Sequence, residues 1–344
     1  MNRPIRIAAL SFDHGHQYSY LRAMMELPDL QLVAIADPDP DQRAQAARVL
    51  EVAPNDVRVH ARYEEVLAAD DIDAVSICTA NALHHDVVLA AAKSGKHVLC
   101  EKPLALNLGD ATSMVRGCAD YGVILATAYP VRHAAQVWDV RQRLTSGELG
   151  AIRVMSMTNV LQASPSGWFI DPAQSGGGAI RDHIVHATDL MRFFSNADVR
   201  KVFCEADTRM RDIPVEDTGA LIEVLDTGVI GTCDPSWNRP KTWRKWGDVS
   251  GRILCDRGVI EFDVTDHAIR VTTSDLATPY RETSFASDMN TELLRDFACA
   301  IVEKREPCAT GYDGWVGVAC TEAAYESARN HEFVDVARFD VDSI

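Results

Sequence analysis

Residues 5–37 read IRIAALSFDHGHQYSYLRAMMELPDLQLVAIAD, and their pattern decides the first half of the fold. Ile5–Leu10 is an unbroken apolar run of strand length. From Gln17 to Leu27 the period becomes helical, with Tyr18, Leu21, Met24 and Met25 on one side. Leu32–Ala36 is a second short apolar run, and it stops at Asp37. Strand, helix and strand in that order imply two parallel strands joined by a right-handed crossover.

The same alternation continues outward. A helix from Asp41 carries Ala44, Ala47 and Leu50, and strands follow at Val57–His60, Ala74–Cys78, Val98–Cys100 and Val123–Ala126. Helices fall near Glu64–Ala68, His84–Lys93 (stopped at Gly95) and Asn107–Tyr121 (stopped at Gly122). Residues 1–126 therefore read as a doubly wound α/β unit of the Rossmann type, with a parallel sheet. After residue 127 the pattern changes. One amphipathic stretch, Ala134–Leu144, precedes strand-like runs at Ile152–Val160, Val199–Ala206, Gly219–Leu225, Val229–Cys233, Arg252–Cys255, Val259–Val264 and Ile269–Thr273. Helical segments interrupt or follow at Ile180–Phe194, Met289–Glu303 and Asp313–Arg329. Residues 127–344 read as an α+β domain with a large, mainly antiparallel open sheet and helices on one face.

Composition narrows the partners. Across 344 residues, 34 Lys and Arg face 50 Asp and Glu, a formal charge of −16. Such a surface repels phosphate backbones and anionic lipid, so neither nucleic acid nor membrane is expected as a partner. Nine scattered cysteines lack CxxC spacing, which points to reduced thiols and a cytoplasmic protein. No signal-type segment or membrane-length apolar run is evident.

In open α/β sheets ligands sit beyond the carboxyl ends of the strands, so the residues just after each strand carry the reading. The first loop, Ser11-Phe12-Asp13-His14-Gly15-His16, holds one glycine where a dinucleotide fingerprint has three. Asp37 ends the second strand, where a carboxylate holds a ribose 2′-hydroxyl and repels a 2′-phosphate, favouring NAD over NADP. A turn or helix cap beside Pro38 and Pro40 is the alternative for it. Thr79 and Asn81 follow one strand, and Glu101-Lys102-Pro103 the next. A lysine there can polarise a carbonyl or stabilise an alkoxide, unless it is only a surface lysine before a turn. In the second half, Gly176-Gly177-Gly178 enters a helix in which Asp182 and His186 are one turn apart. A carboxylate beside an imidazole suits proton transfer from an alcohol, and it also occurs as a buried structural pair.

Taken together, Thr79-x-Asn81-x-x-His84, Gly95-Lys96-His97-Val98-x-x-Glu101-Lys102-Pro103 and GGG-x-x-x-D-x-x-x-H resemble the glucose-fructose oxidoreductase/inositol dehydrogenase (Gfo/Idh/MocA) family. The ending, with Phe297, Ile301, Asp313-Gly314 and Ala324-x-x-Ser327, resembles it too. The resemblance implies that Asp37, Thr79, Asn81, His84 and Glu101 line an NAD cofactor. It places Arg132 near the nicotinamide and Lys102, Asp182 and His186 at the reacting centre, where they also contact substrate. It departs at the first loop, where Ser11, Asp13 and His16 replace glycines. Ser11 or His16 is then expected to donate to phosphate, with Asp13 capping the following helix.

The expected activity is an NAD-dependent oxidoreductase acting on a secondary alcohol of a sugar, cyclitol or derivative. In it His186 takes the hydroxyl proton, Lys102 stabilises the alkoxide and Asp182 orients His186. Two alternatives stay open: an NAD-retaining glycosidase or lyase, and a non-catalytic ligand-sensing regulator on the same fold. Trp168 is expected to line the substrate pocket, with Tyr129 and His133 flanking Arg132. Trp237, Trp243 and Trp246, interleaved with Arg239, Lys241, Arg244 and Lys245, stack on a sugar or form an oligomer interface. Asp182, His183 and His186, with Glu216 or Asp217, offer metal-ligand types, but a histidine packed against the sheet is the reading kept, and no metal is expected. The open sheet needs cover, so a homodimer or homotetramer is expected.

Overall fold

The computed structural model describes residues 3–50, 56–162, 165–243, 245, 247–266, 268–275, 277–285 and 287–340. The chain divides into two compact units: Met1–Pro130 with Asn290–Trp315 and Asp340–Ile344, and Val131–Met289 with Val316–Phe339.

In the first unit, β1 (Ile5–Leu10), α1 (His16–Glu26), β2 (Leu30–Ala36), α2 (Pro40–Leu50), β3 (Arg58–His60) and α3 (Tyr63–Leu67) are followed by β4 (Ala74–Ile77), α4 (His84–Lys93), β5 (His97–Glu101), α5 (Leu108–Asp120) and β6 (Leu125–Ala128). The six strands pair in parallel in the order β3-β2-β1-β4-β5-β6. Ala74, Val75, Ser76 and Ile77 are all fully buried, which is why the central strands read as unbroken apolar runs. Strand order reverses between β1 and β4, and the crevice beyond their carboxyl ends is where such sheets take ligands. Between α4 and β5, Gly95 adopts φ +69, and buried Lys96 donates from Nζ to the Ala69 and Ile72 carbonyls. Those two motif residues serve the scaffold. Asn107 caps α5 by accepting from the Asp110 N–H at 2.9 Å.

The second unit contains α6 (Ala135–Thr145), β7 (Ile152–Leu161), α7 (Pro172–Ser175), α8 (Ala179–Ser195), β8 (Val199–Asp207), β9 (Thr218–Leu225), β10 (Ile230–Asp234), β11 (Gly247–Cys255), β12 (Gly258–Asp263), β13 (Ala268–Thr273) and β14 (Tyr280–Ser284). Two further helices, α9 (Met289–Glu303) and α10 (Gly311–Asn330), precede the short β15 (Val334–Asp335). Its sheet runs β14-β13-β12-β11-β7-β10-β9-β8-β15. Pairing is antiparallel except between β7 and β10. Helix α8 packs on one face, and a Cβ at Gly231 would lie 2.2 Å from Met191 Sδ, so the absent side chain is what lets the helix approach.

Asn290–Trp315 group with the first unit, so residues 127–344 do not form one compact unit. The apolar side of α9 (Leu293, Leu294, Phe297 and Ala298) joins the core of Ile7, Tyr20, Leu21 and Met24 in the first unit. None of the nine cysteines is in a disulfide, and among the described residues no helix is long and apolar enough to cross a membrane.

Candidate active site

The loop after β1 departs from a glycine-rich turn. Ser11 holds φ +65, a left-handed conformation that glycine adopts without strain, and its Oγ accepts from the Asp13 N–H at 3.2 Å. Asp13 bonds to the loop after β4. Its Oδ2 accepts from the Ala80 N–H at 3.1 Å, tying the β1 loop to the β4 loop, and Gly15 stands at the helix N-cap without a side-chain bond.

Asp37 is buried at the end of β2. Its Oδ2 accepts from the Phe12 N–H and its Oδ1 from the Asp39 N–H, both at 2.7 Å. The carboxylate therefore does brace a turn, as its alternative reading held, and it also reaches the first loop. Burial raises its pKa, with the two amide bonds pulling the other way.

At the β4 end, Thr79 is fully buried and its Oγ1 has no hydrogen-bond partner. Buried polar groups are normally hydrogen-bonded, so this unsatisfied hydroxyl at the switch point is one that a polar ligand atom would satisfy. His84 lies between two carbonyls, with Nδ1 3.0 Å from Pro103 O and Nε2 3.2 Å from Thr79 O. Burial lowers its pKa, and the imidazole links the loops that follow β4 and β5. Asn81 and Lys102 are both buried. The carboxylate of Glu101, fully buried, lies 3.1 Å from His16 Nδ1 through Oε1 and accepts from the Tyr20 hydroxyl at 2.9 Å through Oε2. Burial opposes its ionisation, but the His16 and His14 imidazoles overcome this and hold it well below the usual carboxylate range. His14, which the sequence reading left without a role, thus belongs to this cluster. The H-x-H spacing was its one visible signal; Glu101 lies too far along the chain to be paired by eye.

These residues fit a dinucleotide at the adenosine-ribose end, where Asp37 stands, and through the unpartnered Thr79 hydroxyl. The β1 loop carries Ser11, Asp13 and His16 where a glycine-rich turn would offer amides.

In the second unit, helix α8 carries Asp182, His183, His186 and Asp189. The glycines before it serve packing. A Cβ at Gly178 would lie 1.9 Å from the Glu216 carbonyl oxygen, and one at Gly177 1.8 Å from the Tyr325 hydroxyl. Glu216 Oε1 accepts from Gly178 N–H (2.9 Å), Ile180 N–H (3.0 Å) and Tyr325 O–H (2.8 Å), so it caps α8 from another loop. Asp217 likewise takes the amides of Arg209 and Met210. Neither acid joins a metal set with Asp182, His183 and His186; among the described residues the one such cluster is His14, His16 and Glu101.

Asp182 Oδ2 accepts from Trp237 Nε1 at 3.2 Å and lies 3.2 Å from His183 Nε2. His183 Nδ1 lies 2.7 Å from the Pro235 carbonyl oxygen, and its own carbonyl accepts from Asn159 Nδ2. Asp182 thus pairs with the neighbouring His183, which packs toward the sheet. His186 is also buried. Arg132 makes a two-pronged pair with Asp189, Nε to Oδ2 at 3.0 Å and Nη2 to Oδ1, which joins the turn at Pro130–His133 to α8.

Trp168 stacks on Phe169 with centroids 4.0 Å apart on the short Gly167–Ile170 turn. The tryptophan stretch is not one surface. Trp237 is fully buried, Trp243 lies under Arg239, Arg239 pairs with Asp248, and Lys245 pairs with Asp263 and Asp266. Arg244 and Trp246 lie outside the described residues.

A parallel six-stranded sheet with a charged switch-point crevice, followed by a separate mixed-sheet unit, defines a two-domain protein of the dinucleotide-binding class. Residues 15–129 match the oxidoreductase family model described as an NAD-binding Rossmann fold, and residues 137–261 match the GFO/IDH/MocA C-terminal domain. The chain belongs to the Gfo/Idh/MocA oxidoreductase family. It is 39% identical over 137 residues to a 1,5-anhydro-D-fructose reductase of Ensifer adhaerens, covering 39% of this chain and 41% of that protein. It is 28% identical over 214 residues to a myo-inositol 2-dehydrogenase of Thermotoga maritima, covering 61% and 62%. The matches thus span about two fifths and three fifths of those two relatives. A levoglucosan dehydrogenase solved with NADH and levoglucosan shares the fold, with TM-score 0.86 and 21% identity over 97% of this chain and all of that one.

Proposed function

We propose that this chain is an NAD-dependent oxidoreductase that moves a hydride between nicotinamide and a secondary alcohol of a sugar, cyclitol or related compound. The observation that carries this is the match of both domains to one oxidoreductase family, on a chain that keeps Asp37, Glu101 and Lys102 at the ends of its parallel strands. Asp37, Thr79, Asn81, His84 and Glu101 hold or shape the cofactor site, with Ser11 and His16 at the phosphate end. When bound, NAD accepts or returns the hydride. Lys102 supplies positive charge to an alkoxide, and His186 receives the hydroxyl proton. Asp182, tied to His183 and Trp237, acts as a positioning residue on α8 rather than as a proton carrier. Trp168 contributes to the substrate pocket. Arg132 acts through the Asp189 pair by holding its turn.

A panel of sugars, sugar acids and inositols, assayed with NAD and NADP by absorbance of the reduced cofactor, tests the activity. Turnover of none of them with either cofactor refutes it. The glycine-poor first loop favours one second reading, a ligand-sensing regulator, which binds a sugar in the same panel without turnover.

Assembly as a homodimer or homotetramer is part of the proposal. Ile222, Ile230 and Leu254 are exposed on the face of the nine-stranded sheet opposite Glu223 and Ile253, and together they form an apolar patch. A reducing, cytoplasmic setting agrees with nine cysteines outside any disulfide.

A further inference from the structure

The geometry points to a divalent transition-metal site formed by His14, His16 and Glu101 at the carboxyl end of the parallel sheet. One ligand atom from each residue lies within 4.8 Å of the other two. Tetrahedral coordination at about 2.1 Å sets donors about 3.4 Å apart, so modest side-chain rotation closes the set. His16 Nδ1 and Glu101 Oε1 lie 3.1 Å apart, within a few tenths of an ångström of that spacing. The two imidazoles, with centroids 4.3 Å apart and planes at 62°, converge without stacking face to face.

The surroundings are built as metal sites are built. The Tyr20 hydroxyl donates to Glu101 Oε2 at 2.9 Å, which orients the carboxylate and leaves Oε1 as the ligand atom. His16 and Tyr20 share helix α1, and Glu101 ends β5, so the donors sit on or beside regular elements. Glu101 is fully buried and His14 nearly so, while His16 keeps partial access to solvent, an entry path for the ion. His14 Nδ1 accepts the His16 N–H at 3.2 Å, a long bond that coordination through Nε2 would end by moving the ring proton to Nδ1. Two imidazoles and one carboxylate select zinc and its first-row neighbours over magnesium or calcium, which prefer oxygen donors. Three protein donors leave a position for water or another oxygen ligand.

The test uses the full chain, stripped with chelator, and metal alone, so its result is independent of the dehydrogenase reading. Calorimetric titration with zinc is expected to show one saturable site, and cobalt(II) to give the intense visible bands of tetrahedral coordination. His14→Ala and His16→Gln should each weaken zinc at least about tenfold, and Tyr20→Phe by roughly 10- to 100-fold. His16 is partly exposed, so His16→Gln should fold, as circular dichroism will report. His85→Ala, on α4 and outside the cluster, should bind as the parent does. Absence of saturable zinc binding by the parent chain overturns the proposal. So does binding that survives in the His14→Ala/His16→Gln double variant, because the thiols would then be the ligands.

Discussion

Glu223 is the residue through which pH should most strongly act on the stability of the second unit. It lies on β9, paired on one side with Gly231 and on the other with Val202, and its side chain is fully buried. Thr188 Oγ1 on α8 donates to Oε1, while Oε2 has no hydrogen-bond partner. Burial pushes its pKa up to about 7, against weaker opposing effects from the Thr188 bond and the Arg192 charge. In the unfolded chain the value is near 4.5. Because the folded value is the higher one, the native state binds more protons between those limits, and stability falls as pH rises from about 4.5 to 7. The full shift corresponds to about 3 kcal/mol, of which about 2.5 kcal/mol is expressed between pH 5 and 8.

Glu223→Gln keeps an acceptor for Thr188 and removes the ionisation. Its new amide N–H₂ costs something at every pH, so the informative quantity is the change in ΔΔG with pH. Urea unfolding followed by far-UV circular dichroism at pH 5, 6, 7 and 8 should show the variant gaining about 2.5 kcal/mol on the parent across that range. In melting temperature this is about 5–10 °C. Parallel pH curves for parent and variant would refute the reasoning, since they would mean that Glu223 is ionised, or equally protonated, in both states.

Four further outcomes are expected. NAD should bind at least about tenfold more tightly than NADP, about 1.4 kcal/mol, and Asp37→Asn should narrow that gap in calorimetry while lowering stability by about 1 kcal/mol through one lost amide bond. Gly178→Ala should destabilise the chain by more than about 3 kcal/mol in urea unfolding, because a Cβ 1.9 Å from the Glu216 carbonyl forces the α8 cap open. Lys102→Met and His186→Ala should each lower turnover by roughly two to four orders of magnitude on an identified substrate with little change in NAD affinity; near-normal turnover in both would remove them from the chemistry. Ile230→Asp, on the exposed sheet face, should shift light-scattering mass toward a single chain.

Much of the architecture was legible because burial and period coincide. Ile5–Leu10, His84–Lys93 and Met289–Glu303 have the bounds read from sequence, since each apolar pattern ends at a change of period or a turn residue. Strand β14 was not legible. Tyr280–Ser284 is an edge strand with no buried residue, so nothing in its pattern marks a core face. Domain membership of α9 was equally hidden, because periodicity shows that Leu293 and Phe297 need a core but not which one.

The candidate site shows a sharper limit. Asp13, Asp37, Glu216 and Asp217 all invite a chemical reading from sequence, as phosphate-loop, ribose or metal residues. In the structure each accepts from backbone N–H groups of a loop, turn or helix start. The reason is general: loops at strand ends expose amides that sheet and helix do not satisfy, and a carboxylate is the strongest acceptor available for them. An acidic chain therefore spends many of its carboxylates on positioning, and residue type cannot separate those from acids that meet a ligand. What separates them is saturation. Asp217 already gathers two backbone amides, the Thr218 hydroxyl and the Arg211 guanidinium, whereas the Glu101 carboxylate is held by side chains, those of His16 and Tyr20. A carboxylate held by side chains that can rotate is the one able to exchange a partner for a ligand, and this is why Glu101, with His14 and His16 beside it, is suited to take one where Asp217 is not.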